Sequence, residues 1–76
     1  MTTTTYGLLL RSLRIRTGLT QAEMGAAIGV STVSIGAWER GSVVPRADDL
    51  ADYLHVCVGT DAERLAVLDA IRLARM

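Results

Sequence analysis

The sequence has one cysteine, Cys57, and one histidine, His55. A single thiol cannot close an intrachain disulfide, and the two residues together cannot assemble a zinc site. No metal or cofactor is therefore expected, and the setting expected is reducing and cytoplasmic. Lysine is absent, all eight basic residues being arginine. Long apolar runs are absent as well: Leu8 to Leu10 is too short for a signal peptide or a membrane span, so no membrane association is expected. Titratable groups are dispersed rather than gathered as acid–base chemistry requires, which argues against an enzyme and against a small-molecule ligand. Asp48, Asp49 and Asp52 read as charges near a helix N-terminus, where they favour the helix dipole, and His55 reads as a surface residue.

What is present fits one domain spanning residues 1–76. That length is near the small end of what a lone hydrophobic core stabilises. Half of the residues are apolar, a high share for so small a domain and one that suits self-association. The net charge of zero hides a polarity. Up to residue 46, Arg11, Arg14, Arg16, Arg40 and Arg46 face Glu23 and Glu39, a net of +3; beyond it three arginines face six carboxylates, a net of −3. A protein with one anion-binding face has this polarity, and so does an ordinary solvated surface.

The hydrophobic period is helical throughout. After a flexible stretch at 1–4, Thr5 is expected to cap a first helix whose buried stripe is Tyr6, Leu10, Leu13 and Thr17, with Gly18 as its stop. Thr20-Gln21-Ala22-Glu23 has capping-box spacing and opens a second helix, buried through Met24 and Ile28 and ended by Gly29. Ser31 caps a third helix running to Glu39, with Ile35 and Trp38 inward and Gly41 as its close. Pro45 is placed as the first residue of a fourth helix, in which Leu50, Tyr53, Leu54 and Cys57 form the buried face over 46–58 and Gly59 is the stop. Thr60-Asp61-Ala62-Glu63 opens a fifth, at 61–75.

Counting from Gln21, small Gly25 falls fifth, the turn glycine Gly29 ninth, and apolar Ile35 and Trp38 fifteenth and eighteenth. Two short helices joined in this way let the second stand proud of the domain and fit a major groove. Through Tyr6-Gly7, Leu10-Arg11, Leu13-Arg14, Gly18-Leu19-Thr20-Gln21, Glu23-Met24, Gly29-Val30-Ser31 and Trp38-Glu39-Arg40-Gly41, the sequence resembles the Xre/Cro-like helix-turn-helix family of phage and bacterial repressors. The resemblance implies an all-α, compact five-helix bundle of the lambda-repressor type, with helix three reading double-stranded DNA and with dimers on two half-sites. It also implies an ion pair between Arg14 and Glu39.

With Ile35 and Trp38 inward, Thr32, Val33, Gly36 and Ala37 are expected to face the bases, with Ser34 nearby. None of these can make the bidentate contacts of Gln, Asn, Arg or Lys, so thymine methyl contacts and DNA shape are expected to dominate readout. Phosphate contacts are expected from Gln21, Ser31, Arg40, Ser42, Arg46 and Arg11, flanked by Arg16. On helix five, Ala62, Ala66, Ala70 and Leu73 form one apolar stripe, and Val67, Ile71 and Ala74 another. That width exceeds what one buried face needs, so Ala66, Val67, Ala70, Ile71, Leu73 and Ala74 are expected to form a homodimer interface, with Leu8 and Ile15 as further apolar surface. The function expected is a transcriptional repressor of the Cro or immunity type acting by promoter occupancy. The alternative is a protein-interaction module on the same fold, an antirepressor or adaptor, suggested by the zero net charge and the bland face of helix three.

Overall fold

The computed structural model describes residues 4–75. The chain forms five helices: α1 (Thr5–Thr17), α2 (Gln21–Ile28), α3 (Thr32–Arg40), α4 (Ala47–Val56) and α5 (Asp61–Ala74). No strand occurs among the described residues. Local chemistry sets most of these limits. Thr20 and Thr60 each complete a capping box with the glutamate three residues on, and Ser31 caps α3. Gly18, Gly29 and Gly41 end their helices at positive φ.

Three limits differ from expectation. The cap of α1 is Thr4, whose hydroxyl accepts from the Gly7 amide at 3.4 Å, and not Thr5. A run of threonines offers several equivalent caps, and contact of the Thr4 side chain with Gly41 selects this one. The fold thus takes in Thr4; the rest of the expected flexible stretch, residues 1–3, lies outside the described residues. Pro45 is buried two residues ahead of α4, and Arg46 is an N-cap without a side-chain bond. At its other end α4 stops at Val56, and the residue that turns left-handed is Val58 (φ 51°), not Gly59. For a β-branched side chain that conformation costs roughly 1–2 kcal/mol.

The core draws Tyr6, Leu10 and Leu13 from α1, Met24 from α2, Ile35 and Trp38 from α3, Leu50, Tyr53 and Leu54 from α4, then Cys57, and Val67, Ala70 and Ile71 from α5. Trp38 meets Tyr53 edge to face at 6.4 Å between ring centroids, a favourable aromatic geometry. Burial pushes the Cys57 thiol up to about 11, which leaves it a small inert core residue. Thr17 and Ile28 are only half-buried. The Thr17 hydroxyl instead donates to the Arg14 carbonyl at 2.6 Å and accepts from the Leu19 amide at 3.2 Å, closing the α1–α2 corner.

α3 and α5 both pack on α1, while α2 packs on α3 and α4. The α1–α5 contact overturns part of the expected dimer interface. Val67, Ala70 and Ile71 are 1%, 8% and 6% exposed inside the single chain, so they cannot line a surface between copies. Ala66, Leu73 and Ala74 stay exposed, as do Leu8 and Ile15 on α1. Leu65 and Leu68, absent from both expected stripes, are exposed at 61% and 45%. No described helix is long and apolar enough to cross a membrane.

Candidate nucleic-acid interface

The α2–α3 corner is tight because two glycines permit it. Gly29 takes φ +76°, and the Val30 amide then donates back to the Gly25 carbonyl at 2.9 Å. At Gly25 a Cβ would sit 2.6 Å from the Val30 carbonyl oxygen, so α2 rests directly on the backbone of the turn. Ser31 then accepts from the Ser34 amide at 3.1 Å, and its hydroxyl lies 3.1 Å from that of Ser34.

From this start α3 presents two unlike halves. Thr32 and Val33 stand in solvent, Val33 at 77% exposure, while Ile35 and Trp38 are in the core. Ser34 and Ala37 are half-buried, and Gly36 is buried. Gly36 therefore does not offer open backbone on the outer face. An added Cβ there would lie 2.9 Å from Arg40 Nη1 and 3.6 Å from Gln21 Oε1, so two polar side chains roof the middle of the helix. Gly36→Ala should raise stability by about 0.5–1 kcal/mol, since helix propensity improves and only the end of the flexible Arg40 side chain must yield. Gly25→Ala should lower it, because its obstacle is a backbone carbonyl. Paired thermal melts would check both.

Beneath the roof, Glu39 gathers four helices. Arg14 donates through Nε and Nη2 to its two carboxylate oxygens at 2.8 and 2.9 Å, and through Nη1 to the Leu19 carbonyl at 2.9 Å. Gln21 Nε2 donates to Glu39 Oε1 at 3.2 Å. The Tyr53 hydroxyl lies 2.8 Å from Glu39 Oε2 and 2.7 Å from the Leu10 carbonyl, so one proton is shared by two acceptors. Burial pushes the Glu39 carboxyl up, but the bonds from Arg14, Tyr53 and Gln21 with the Arg14 charge outweigh it and hold the group below the ordinary carboxylate range. The Arg14–Glu39 pair is thus a clamp fixing α3 to the bundle. The clasping roles of Gln21 and Tyr53 were missed at the sequence level, where one read as a phosphate contact and the other as plain core.

The remaining charges divide into engaged and available. Arg16 turns away from α3 and donates to Glu63 at 2.6 and 3.2 Å and to the Cys57 carbonyl at 3.4 Å, tying α1 to the start of α5. The Arg16 guanidinium, with the Thr60 amide, holds the Glu63 carboxyl down to about 2. Arg11, Arg40 and Arg46 are exposed and enter no ion pair among the described residues. Ser31 and Ser42 are exposed as well, and His55 lies on the outer face of α4. Asp48 and Asp49 occupy the first turn of α4 beside Arg46 and dilute its positive field. No group of three or more His, Cys, Asp or Glu side chains able to hold a metal occurs among the described residues.

This frame, a short helix, a glycine turn and a second helix clamped from below with its first turn free, lies inside a longer segment that matches a family model. A family model described as a helix-turn-helix domain matches residues 5–68. No curated protein and no solved structure matches the chain.

Proposed function

Because the chain belongs to the helix-turn-helix domain family, whose members are DNA-binding regulators, we propose that it is a sequence-specific repressor of the Cro or immunity type, on the Xre/Cro branch, acting by promoter occupancy. The observation that carries this reading is the contrast along α3. Its inward side is locked by Ile35, Trp38 and the Glu39 network, while Thr32 and Val33 project from its N-terminal turn. A rigid helix with a free first turn is what major-groove entry needs.

Base contact then rests on Val33 and the methyl of Thr32 against thymine, with Ser34 and Ala37 at the edge and DNA shape supplying the rest. Gly36 contributes through the Gln21 and Arg40 side chains above it. Arg11, Arg40 and Arg46, with Ser31 and Ser42, supply phosphate contacts. The Gln21 amide is held by Glu39, so its part is the backbone N–H at the start of α2. A symmetric pair of copies would set two α3 helices about 34–36 Å apart on a pseudo-palindrome.

Selection of bound sequences from random duplex DNA tests the reading. The expected product is an enriched motif of two inverted half-sites, each with a thymine that cannot be replaced by uracil without loss. A pool that stays random through successive rounds would contradict it and favour the protein-interaction alternative.

A further inference from the structure

The outer face of α5 carries a pattern whose two leucines, Leu65 and Leu68, stand exposed. Asp61, Leu65, Leu68 and Arg72 are separated by steps of four, three and four residues, the spacing of a helix–helix seam. All four are exposed, on the side of α5 away from Val67, Ala70 and Ile71. A shallow depression of about 320 Å³ lies among Leu65, Leu68, Asp69 and Arg72. The charges at the two ends of the seam are opposite. Two copies of α5 laid antiparallel therefore bring Leu65 of each against Leu68 of the other, and Asp61 of each against Arg72 of the other. A parallel arrangement would instead stack like charges. Among the described residues Asp61 and Arg72 engage only exposed neighbours one turn away, Arg64 at 3.4 Å and Asp69. Pairs of that kind contribute little and exchange readily. The neighbouring stripe of Ala62, Ala66, Asp69 and Leu73 has one charge and no opposite charge to meet it.

The geometry points to a second copy of this chain as the occupant, docked antiparallel along the Asp61–Leu65–Leu68–Arg72 seam. This provides the proposed homodimer with a surface and a register, and it rests on the regulator reading only for the use of two half-sites. Two leucines per copy make a small contact, so the free protein associates weakly and paired half-sites on DNA add the remainder.

Sedimentation equilibrium of the full chain without DNA, from micromolar to millimolar protein, tests the interface, with circular dichroism confirming that each variant is folded. Concentration-dependent dimers are expected, and Leu68→Glu should abolish them. Asp61→Arg and Arg72→Asp should each weaken association by about tenfold, since each turns two attractive contacts into repulsive ones. The double reversal should return to within about threefold of the original chain, because the pair is remade with its signs exchanged. A chain that stays monomeric throughout, dimers unaffected by Leu68→Glu, or a double reversal no better than its parents would each overturn the proposal. DNA binding of the original chain and of the folded Leu68→Glu chain, measured in parallel, separates the two readings: self-association of the original chain with no DNA binding by either would sink the regulator and leave the interface standing.

Discussion

Arg14→Ala and Glu39→Ala should each cost about 3–5 kcal/mol, the range for removing one partner of a buried ion pair. Both side chains are shielded, at 10% and 2% exposure, so solvent screening does little to reduce the effect. Each deletion leaves a largely shielded charge without its ion partner, and Glu39→Ala also releases Gln21 and Tyr53. For a domain of this size the total stability is about 4–11 kcal/mol, so either variant is expected to be largely unfolded near body temperature. Replacing both residues with apolar ones of similar volume should be milder than either single change, with a coupling of about 0.5–3 kcal/mol in a double-mutant cycle. The acid side gives a second readout. Glu39 is held below its ordinary value in the fold, so its contribution is complete above the unfolded carboxylate pKa of about 4.3 and is lost as pH falls through the depressed folded value. The gap in stability between the natural chain and Glu39→Gln should therefore be full at neutral pH and shrink in acid. Urea titrations at a series of pH values would show it; a constant gap would mean that the Glu39 charge does not hold the clamp together.

Gly7→Ala is expected to be the most damaging single-methyl change. A Cβ at this position would collide with the Glu39 carbonyl oxygen, with the Glu39 carbonyl carbon at 2.8 Å and the Trp38 oxygen at 3.1 Å. These are backbone atoms in the last turn of α3, unable to rotate away as the Arg40 side chain can at Gly36. Overpacking of this kind costs about 1–3 kcal/mol or more, and the gain in helix propensity, about 1 kcal/mol, does not offset it. The melting temperature should fall by roughly 4–8 °C for each kcal/mol lost. Because α1 can relieve the clash only by moving off the end of α3, DNA affinity should fall beyond what the unfolded fraction explains. A Gly7→Ala chain that melts at the original temperature would mean that α1 and α3 have room for a methyl between them.

The helices were legible in the sequence because their signals are local. Capping boxes at Thr20 and Thr60, the cap at Ser31 and the glycines after α1, α2 and α3 each act within a few residues, and the 3.6-residue period placed Ile35 and Trp38 inside. What escaped depends on how helices turn against one another. On α5 two adjoining apolar stripes were visible, but the packing of α1 decides which residues are core, and it took Ala70 from one and Val67 and Ile71 from the other, leaving Leu73 and Ala74 outside. Arg16 reads like any exposed arginine until the fold brings Glu63 to it from the far end of the chain. Gly36 sits at an outward angle on α3, yet the crossing of α2 carries Gln21 over it. The Arg14–Glu39 pair came from family resemblance and not from spacing.

The central claim is that the exposed side of the α2–α3 unit binds duplex DNA through α3, with Arg11, Arg40 and Arg46 on the phosphates. The salt dependence of affinity for a selected duplex tests it most directly. Three phosphates neutralised predict a log–log slope of about −2.7, and Arg40→Ala with Arg46→Ala should bring it to about −0.9 without altering self-association. A slope near zero, or one that the two substitutions leave unchanged, would contradict the assignment of this face to DNA.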